Sequence, residues 1–278
     1  MYHEQTRFDP TNALPDRRRK PRRPHRMARR SGERVTMLGE TIDLVRPEEV
    51  LRQVQDWVLE GVQAVVANHN LHSLHLVRRD PAMRAFYDQA DLVQLDSTPL
   101  VWFGRLKGLA ARPCHRSTYL DWRDYFWSMA NRLGWRVMYV GGAPGVAAEA
   151  ANRLTARYPG VSLATRDGYF DMTGDENGGV LAAINAFQPH ILFVGMGMPR
   201  QEAWIANNLD ALPECVIFNV GAAFDYEAGT QDAAPRWMGQ VGVEWLFRLA
   251  SDPKRMFTRY CVEPWHLIGP AIADLRGR

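Results

Sequence analysis

Two short apolar runs end in side chains that could take part in a reaction. The run LVQLD closes on Asp96, and the β-rich run from Gln63 to Ala67 is followed by Asn68, His69 and Asn70. Residues at the carboxyl ends of neighbouring strands line the ligand crevice of an open α/β sheet. Transfer of a group to a hydroxyl needs a base to take the hydroxyl proton. A carboxylate flanked by apolar residues, as Asp96 is, would have its proton affinity raised by desolvation. The plainer reading of Asp96 is a cap on a helix starting near Pro99.

Three further strand-like runs end in glycine. V-G-G-A-P-G at 140–145, with Gly141 and Gly142, follows a strand and opens a helix. Backbone amides at a helix N-terminus favour phosphate. The motif lacks the Lys-Ser/Thr of a P-loop and the G-x-G-x-x-G spacing, so a tight strand-to-helix turn is the plainer reading. G-M-G-M-P-R-Q-E at 195–202 carries more: Gly195 and Gly197 open the backbone, and Pro199 suits a first helical turn. Gln201 and Glu202 should then face the crevice, the amide reading a base edge or a sugar hydroxyl. Glu202 alternatively complements the helix dipole. V-G-A-A-F-D at 220–225 delivers Gly221 and Asp225. Asp225 reads equally as a ligand for ribose hydroxyls or as a turn or cap residue.

His69, His72 and His75 are spaced by three and would drift round a helix, and no known metal motif accompanies them, so no metal site is expected. No D-x-D triplet occurs. A diphosphate leaving group would then rely on backbone amides and arginines for its charge. Cys114, Cys215 and Cys261 are scattered and odd in number, which argues against a disulfide framework or a zinc site.

The elements that must position these residues alternate in type. Helical spacing runs over 46–61, 71–79, onward from Pro81, 144–158, 176–187 and through Trp204 to Leu209. Strand-like runs lie at 63–67, 91–95, 136–140, 161–165, 191–194 and 216–220. This pattern predicts a mainly parallel sheet with helices on both faces. From Trp237 the chain turns helical but crowded with aromatic and basic residues, which predicts an appendage. We therefore expect a basic tail at 1–33, an α/β core at 34–236 and an appendage at 237–278.

The composition, 46% hydrophobic and 23% charged, is that of a globular protein, and no apolar run is long enough to span a bilayer. The net charge of +3 hides an asymmetry. Residues 17–30 hold nine Arg or Lys and no acid, whereas 31–278 hold 24 basic and 28 acidic residues. The tail reads as disordered, either a solvated extension or a tether to anionic lipid. Nothing else in the chain supports a nucleic-acid partner.

The series GGAPGVAAEAANRL, DGYF, GMGMPRQE, VGAAFDYEAG, AAPRWMGQVGVEWLFRL and DPKRMFTRY resembles the WecG/TagA/CpsF family of bacterial glycosyltransferases, from about Val35 to Tyr260. The resemblance implies a Rossmann-like core and inverting, metal-independent transfer from a UDP-sugar, with no cofactor. It implies a polyprenyl-diphosphate-linked saccharide as acceptor and an exopolysaccharide or cell-surface glycan as product. Asp96 takes the place of the base, Asn68 and Asn70 that of the polar pair after the first strand, and Gln201 that of the P-x-Q-E glutamine. The appendage should bring arginines to the site, Arg248 among them, and engage an anionic membrane at the inner face of the cell. A homo-oligomer is left open. This sequence departs from the family pattern at Ser97, where a glycine is usual, at Asn68, where a threonine is usual, and at Ala233, where an arginine is usual; Arg236 is the neighbouring substitute. Those losses keep a second reading in view, a non-catalytic partner that binds nucleotide-sugar. A Rossmann dehydrogenase is disfavoured because the G-x-G-x-x-G fingerprint is missing.

Overall fold

The computed structural model describes residues 32–277. The expected basic tail lies outside them, except for Gly32 and Glu33, which turn into the first strand. Strands β1 (Arg34–Met37) and β2 (Glu40–Asp43) form an antiparallel hairpin, followed by helix α1 (Pro47–Glu60). The core continues with β3 (Ala64–His69), α2 (Leu71–Leu76), α3 (Pro81–Gln89), β4 (Leu92–Leu95), α4 (Thr98–Leu106) and α5 (Tyr119–Leu133). Its second half is β5 (Arg136–Gly141), α6 (Val146–Arg157), β6 (Ser162–Arg166), α7 (Asp175–Phe187), β7 (Ile191–Gly195), α8 (Arg200–Asn208), β8 (Val216–Asn219) and α9 (Ala223–Ala228). The appendage holds α10 (Arg236–Gln240), α11 (Glu244–Ser251), α12 (Pro253–Phe257) and, after a π turn and a 3-10 turn, α13 (Ile268–Arg276).

Six strands form one parallel sheet in the order β4-β3-β8-β7-β5-β6, the Rossmann-like architecture the alternation predicts. Strand side chains alternate between its faces, as the period of two requires. Val137, Tyr139, Phe193 and Phe218 join α1, α5, α6 and α9 on one face. Met138, Val140, Val194 and Ile217 join α3, α7 and α8 on the other. Burial on both faces explains why β3, β4, β5, β7 and β8 read as apolar runs, whereas the edge strand β6 is only partly covered.

The hairpin and α5 were not anticipated. The hairpin strands are only four residues long and mix polar with apolar side chains. Asp43 fixes the hairpin to the sheet edge: it is fully buried, takes Arg34 Nε at 2.7 Å and Nη2 at 2.9 Å, and accepts from the Val93 amide. Helix α5 is rich in Tyr, Trp and Phe, types that favour strands. Yet Tyr119, Trp122, Phe126 and Met129 fall on one buried helical face.

The appendage docks on the core at its far end. Asp274 accepts from the Leu38 amide at 2.7 Å and from Lys107 Nζ at 2.6 Å. Leu267 packs beneath it among Met37, Leu74 and Leu100. His72 Nδ1 meets Glu263 Oε2 at 2.5 Å.

Candidate active site

The carboxyl ends of β3, β4, β5, β7 and β8 open into a cleft of about 1070 Å³, with the appendage as its far wall. Asn68, Asn70, Asp96, Gly142, Gly197, Gln201, Gly221, Asp225 and Arg248, all singled out from the sequence, line it. A second cavity of about 210 Å³ adjoins it between α2, α4 and α11, with Pro99, Trp245, Tyr260 and Pro264 in its wall. Asn70, Asp96, Arg248 and Arg259 border both spaces.

Asp96 does not cap α4. The cap position is Ser97, and Asp96 is held instead by its amide donating to the His69 carbonyl at 2.8 Å. Burial lifts its carboxyl to a pKa of about 6, against the pull of Arg116 and Arg248; Glu244 adds to the rise, and a hydrogen bond from Asn70 opposes it. Asn70 also caps α2, its Oδ1 accepting from the Ser73 amide at 3.0 Å. That cap orients the Asn70 amide group beside Asp96.

Two expected ligand residues do not reach the cleft wall. Gly141 is buried where β5 ends beside β7, and an added Cβ would lie 2.4 Å from the Gly195 carbonyl oxygen. Its lack of a side chain answers the close packing of β5 on β7, not the approach of a ligand. Glu202 is fully buried behind the cleft, not facing it. Its Oε1 accepts from Gln201 Nε2 at 2.7 Å and Asn219 Nδ2 at 2.8 Å, and burial raises its pKa despite those bonds. Asn219 in turn accepts from Asn68 Nδ2, at its carbonyl (2.9 Å) and its amide oxygen (3.2 Å). The chain Asn68–Asn219–Glu202–Gln201 is thus a polar floor joining β3, β8 and α8.

Gln201 is itself almost wholly buried. Its Oε1 accepts from the amides of Gly197 at 3.2 Å and Gly221 at 3.1 Å. One side chain therefore ties the turn after β7 to the turn after β8. Both glycines have positive φ, +77° and +54°, which a Cβ would strain. Asp225, in the first turn of α9, faces the cleft, and burial raises its pKa. Pro199 sits one residue before α8, at its cap, and α6 starts at Val146 behind Gly145, not at Pro144. Arg200 Nη2 donates to the Gly168 and Phe170 carbonyls, fixing the D-G-Y-F loop at the rim.

The arginines that line the two spaces are Arg116, Arg200, Arg248, Arg255 and Arg259, and of these Arg116, Arg248 and Arg259 border the small cavity with Asp96. Arg236 does not stand in for the arginine missing at Ala233: it pairs with Asp121 and lines neither space. Arg116, in the loop bridged to Leu95, is not legible in the sequence, because nothing local marks that loop's return to the sheet. Glu244 was legible only as a partner four residues before Arg248. The three histidines have separate surroundings. His69 stacks on Tyr87, His72 meets Glu263, and His75 lies beside Arg79 and His266. Among the described residues no cluster of His, Cys, Asp or Glu is arranged to hold a metal ion.

This parallel sheet, with a cleft at the carboxyl ends of its strands and arginines delivered to it by a C-terminal appendage, has the anatomy of a Rossmann-like α/β transferase. The profile of the Glycosyl transferase WecG/TagA/CpsF family matches residues 35–278, and the chain belongs to that family of glycosyltransferases. Among its relatives are proteins of Staphylococcus aureus strains MW2, NCTC 8325 / PS 47 and COL. Each is named N-acetylglucosaminyldiphosphoundecaprenol N-acetyl-beta-D-mannosaminyltransferase. Each is 29% identical over 210 residues, covering 72% of this chain and 80% of the relative.

Proposed function

We propose that this glycosyltransferase moves a sugar from a UDP-sugar to a polyprenyl-diphosphate-linked saccharide, with inversion and without a metal ion, in cell-surface glycan or exopolysaccharide synthesis. The observation that carries this reading is the position of Asp96, a carboxylate of raised proton affinity at the boundary of two cavities. The large cleft, floored by the turns after β5, β7 and β8, suits the nucleotide diphosphate, with Asp225 placed for ribose hydroxyls. The smaller cavity suits the acceptor sugar.

In the reaction Asp96 takes the proton of the acceptor hydroxyl. The oxygen bonds to the anomeric carbon while the bond from that carbon to the diphosphate breaks, and its electron pair leaves with UDP. Attack from the face opposite the leaving group inverts the centre. Arg248 and Arg259 stand where they can stabilise the departing charge, a role worth several kcal/mol in enzymes that use preorganised donors, about 3–4 for a single group. The relatives' printed names supply the most specific candidates: an N-acetylmannosaminyl donor and an N-acetylglucosaminyl-diphospho-undecaprenol acceptor.

An acceptor of this type is anchored in a membrane. No helix of the described residues is long and apolar enough to cross one. The appendage exposes Trp237, Phe257 and Trp265, at 59%, 56% and 71%, where packing on the core would have covered them. Interleaved with Lys254 and Arg255, they suit an interfacial contact with anionic lipid, which would hold the enzyme peripherally on the inner face of the cell membrane. The test is transfer from a panel of UDP-sugars to a prenyl-diphosphate-N-acetylglucosamine in detergent, with and without chelator. Product that survives chelator supports the reading and names the donor. Tight UDP binding with no product from any donor would favour the non-catalytic partner.

A further inference from the structure

Glu244 opens α11, and its carboxylate lies between two arginines from different parts of the molecule. Oε2 accepts from Arg116 Nη2 at 2.6 Å. Oε1 accepts from Arg248 Nη2 at 2.7 Å and from its Nε at 3.0 Å. Arg116 belongs to the core, in the loop bridged to the end of β4, one residue before Asp96. Arg248 belongs to the appendage. The side chains of Arg116 and Glu244 are only 12% and 17% exposed, so the pair is more than a surface contact. All three residues wall the small cavity together with Asp96.

We propose that Glu244 is a positioning residue for the transfer: it holds Arg248 at the cavity beside Asp96 and offsets the charge that Arg116 and Arg248 would otherwise impose on that carboxylate. The inference rests on the reading of Asp96 as the base. Cations close to a carboxylate favour its ionised form, which makes it a weaker base. The groups facing Asp96 come from every element around it: Asn70 at the start of α2, Tyr87 of α3, Arg116, Tyr226 of α9, Glu244 and Arg248 of α11, and Arg259 of the π turn. Three of these are cationic, and Glu244 is the one carboxylate among them. The two arginines hold Glu244 ionised: although burial acts to raise its pKa, Arg248 and Arg116 outweigh burial and lower it. A fixed negative charge therefore sits between the two arginines, on the wall it shares with Asp96, at every pH where the enzyme would work. Arg248 remains available to the diphosphate without stripping Asp96 of its affinity for the proton.

The experiment is a pH titration of the full chain labelled with carboxyl-carbon-13 aspartate, the Asp96 resonance being assigned by its loss in Asp96→Asn. Glu244→Gln should lower the Asp96 midpoint by about half a pH unit or more, at least a threefold change in its ionisation constant. Glu244→Asp, which keeps the charge, should leave the midpoint close to wild type. Arg116→Gln, which frees the Glu244 charge, should raise it, and this variant decides the matter if Glu244→Gln does not fold. The acid limb of transfer against pH should move with the midpoint, whereas mere loss of packing would lower the rate at all pH values alike. An Asp96 midpoint unmoved in folded Glu244→Gln or in Arg116→Gln would overturn the proposal. Transfer retained in Asp96→Asn would instead overturn the reading of the base, a separate failure.

Discussion

At the scale of single residues, the site depends on a carboxylate kept partly against its preference. Asp96 has its pKa raised from 3.8 to about 6, so in its proposed role as base it must first lose its own proton. Transfer should therefore climb through about pH 6 and level off above it, read as the rate at low donor concentration. The same shift fixes a sign for stability. A carboxyl whose folded pKa lies above its unfolded value destabilises the fold once ionised. The penalty is absent below about pH 4, grows between about pH 4 and 6, and is complete above that. Asp96→Asn should thus melt at a higher temperature than wild type at pH 7, with the gap closing towards pH 4. Asp96, Asn68, Asn70 and Asp225 were legible because a strand end in a parallel sheet marks the crevice whatever the details. Glu202 was misplaced because two adjacent helical positions, 201 and 202, look alike in sequence. Tertiary packing alone decides that Glu202 turns into the floor and that Gln201 spends its oxygen on two backbone amides.

At the scale of elements, the sheet is fixed by a few close contacts at its ends and edge. β5 and β7 approach so closely at Gly141 and Gly195 that one methyl group cannot enter without moving backbone. Gly141→Ala should cost about 1–3 kcal/mol in urea unfolding, the usual penalty for overpacking. At the edge, Asp43 joins Arg34 to the Val93 amide from a fully buried position. Asp43→Ala should cost about 3–5 kcal/mol, because it leaves a guanidinium and an amide without their carboxylate. Strand β6, at the sheet edge, is only partly covered and mixes polar with apolar residues, whereas β3, β4, β5, β7 and β8 could be read from their apolar runs because they are buried on both faces. The hairpin could not: its strands are short, half polar, and held by Asp43 to a partner some fifty residues away in sequence.

At the scale of the whole molecule, the appendage walls the cleft, and its outer face carries the exposed aromatics proposed to meet a lipid surface. Trp237, Phe257 and Trp265 are exposed, so replacing all three by serine should leave the melting temperature almost unchanged. In vesicle flotation with anionic lipid the triple variant should lose binding. Unchanged flotation would mean that another surface carries the contact. The appendage was visible in sequence as a change of composition. Its docking was not, because Asp274 and Glu263 find partners near the other end of the chain. The central claim is that Asp96, between the two cavities, takes the acceptor's proton. The most direct measurement is single-turnover transfer by wild type and Asp96→Asn, with the productive UDP-sugar, a prenyl-diphosphate acceptor and chelator present. Product is expected from the wild type, with a loss of at least a hundredfold in the variant and UDP affinity unchanged. A variant that turns over at a rate near wild type would contradict it.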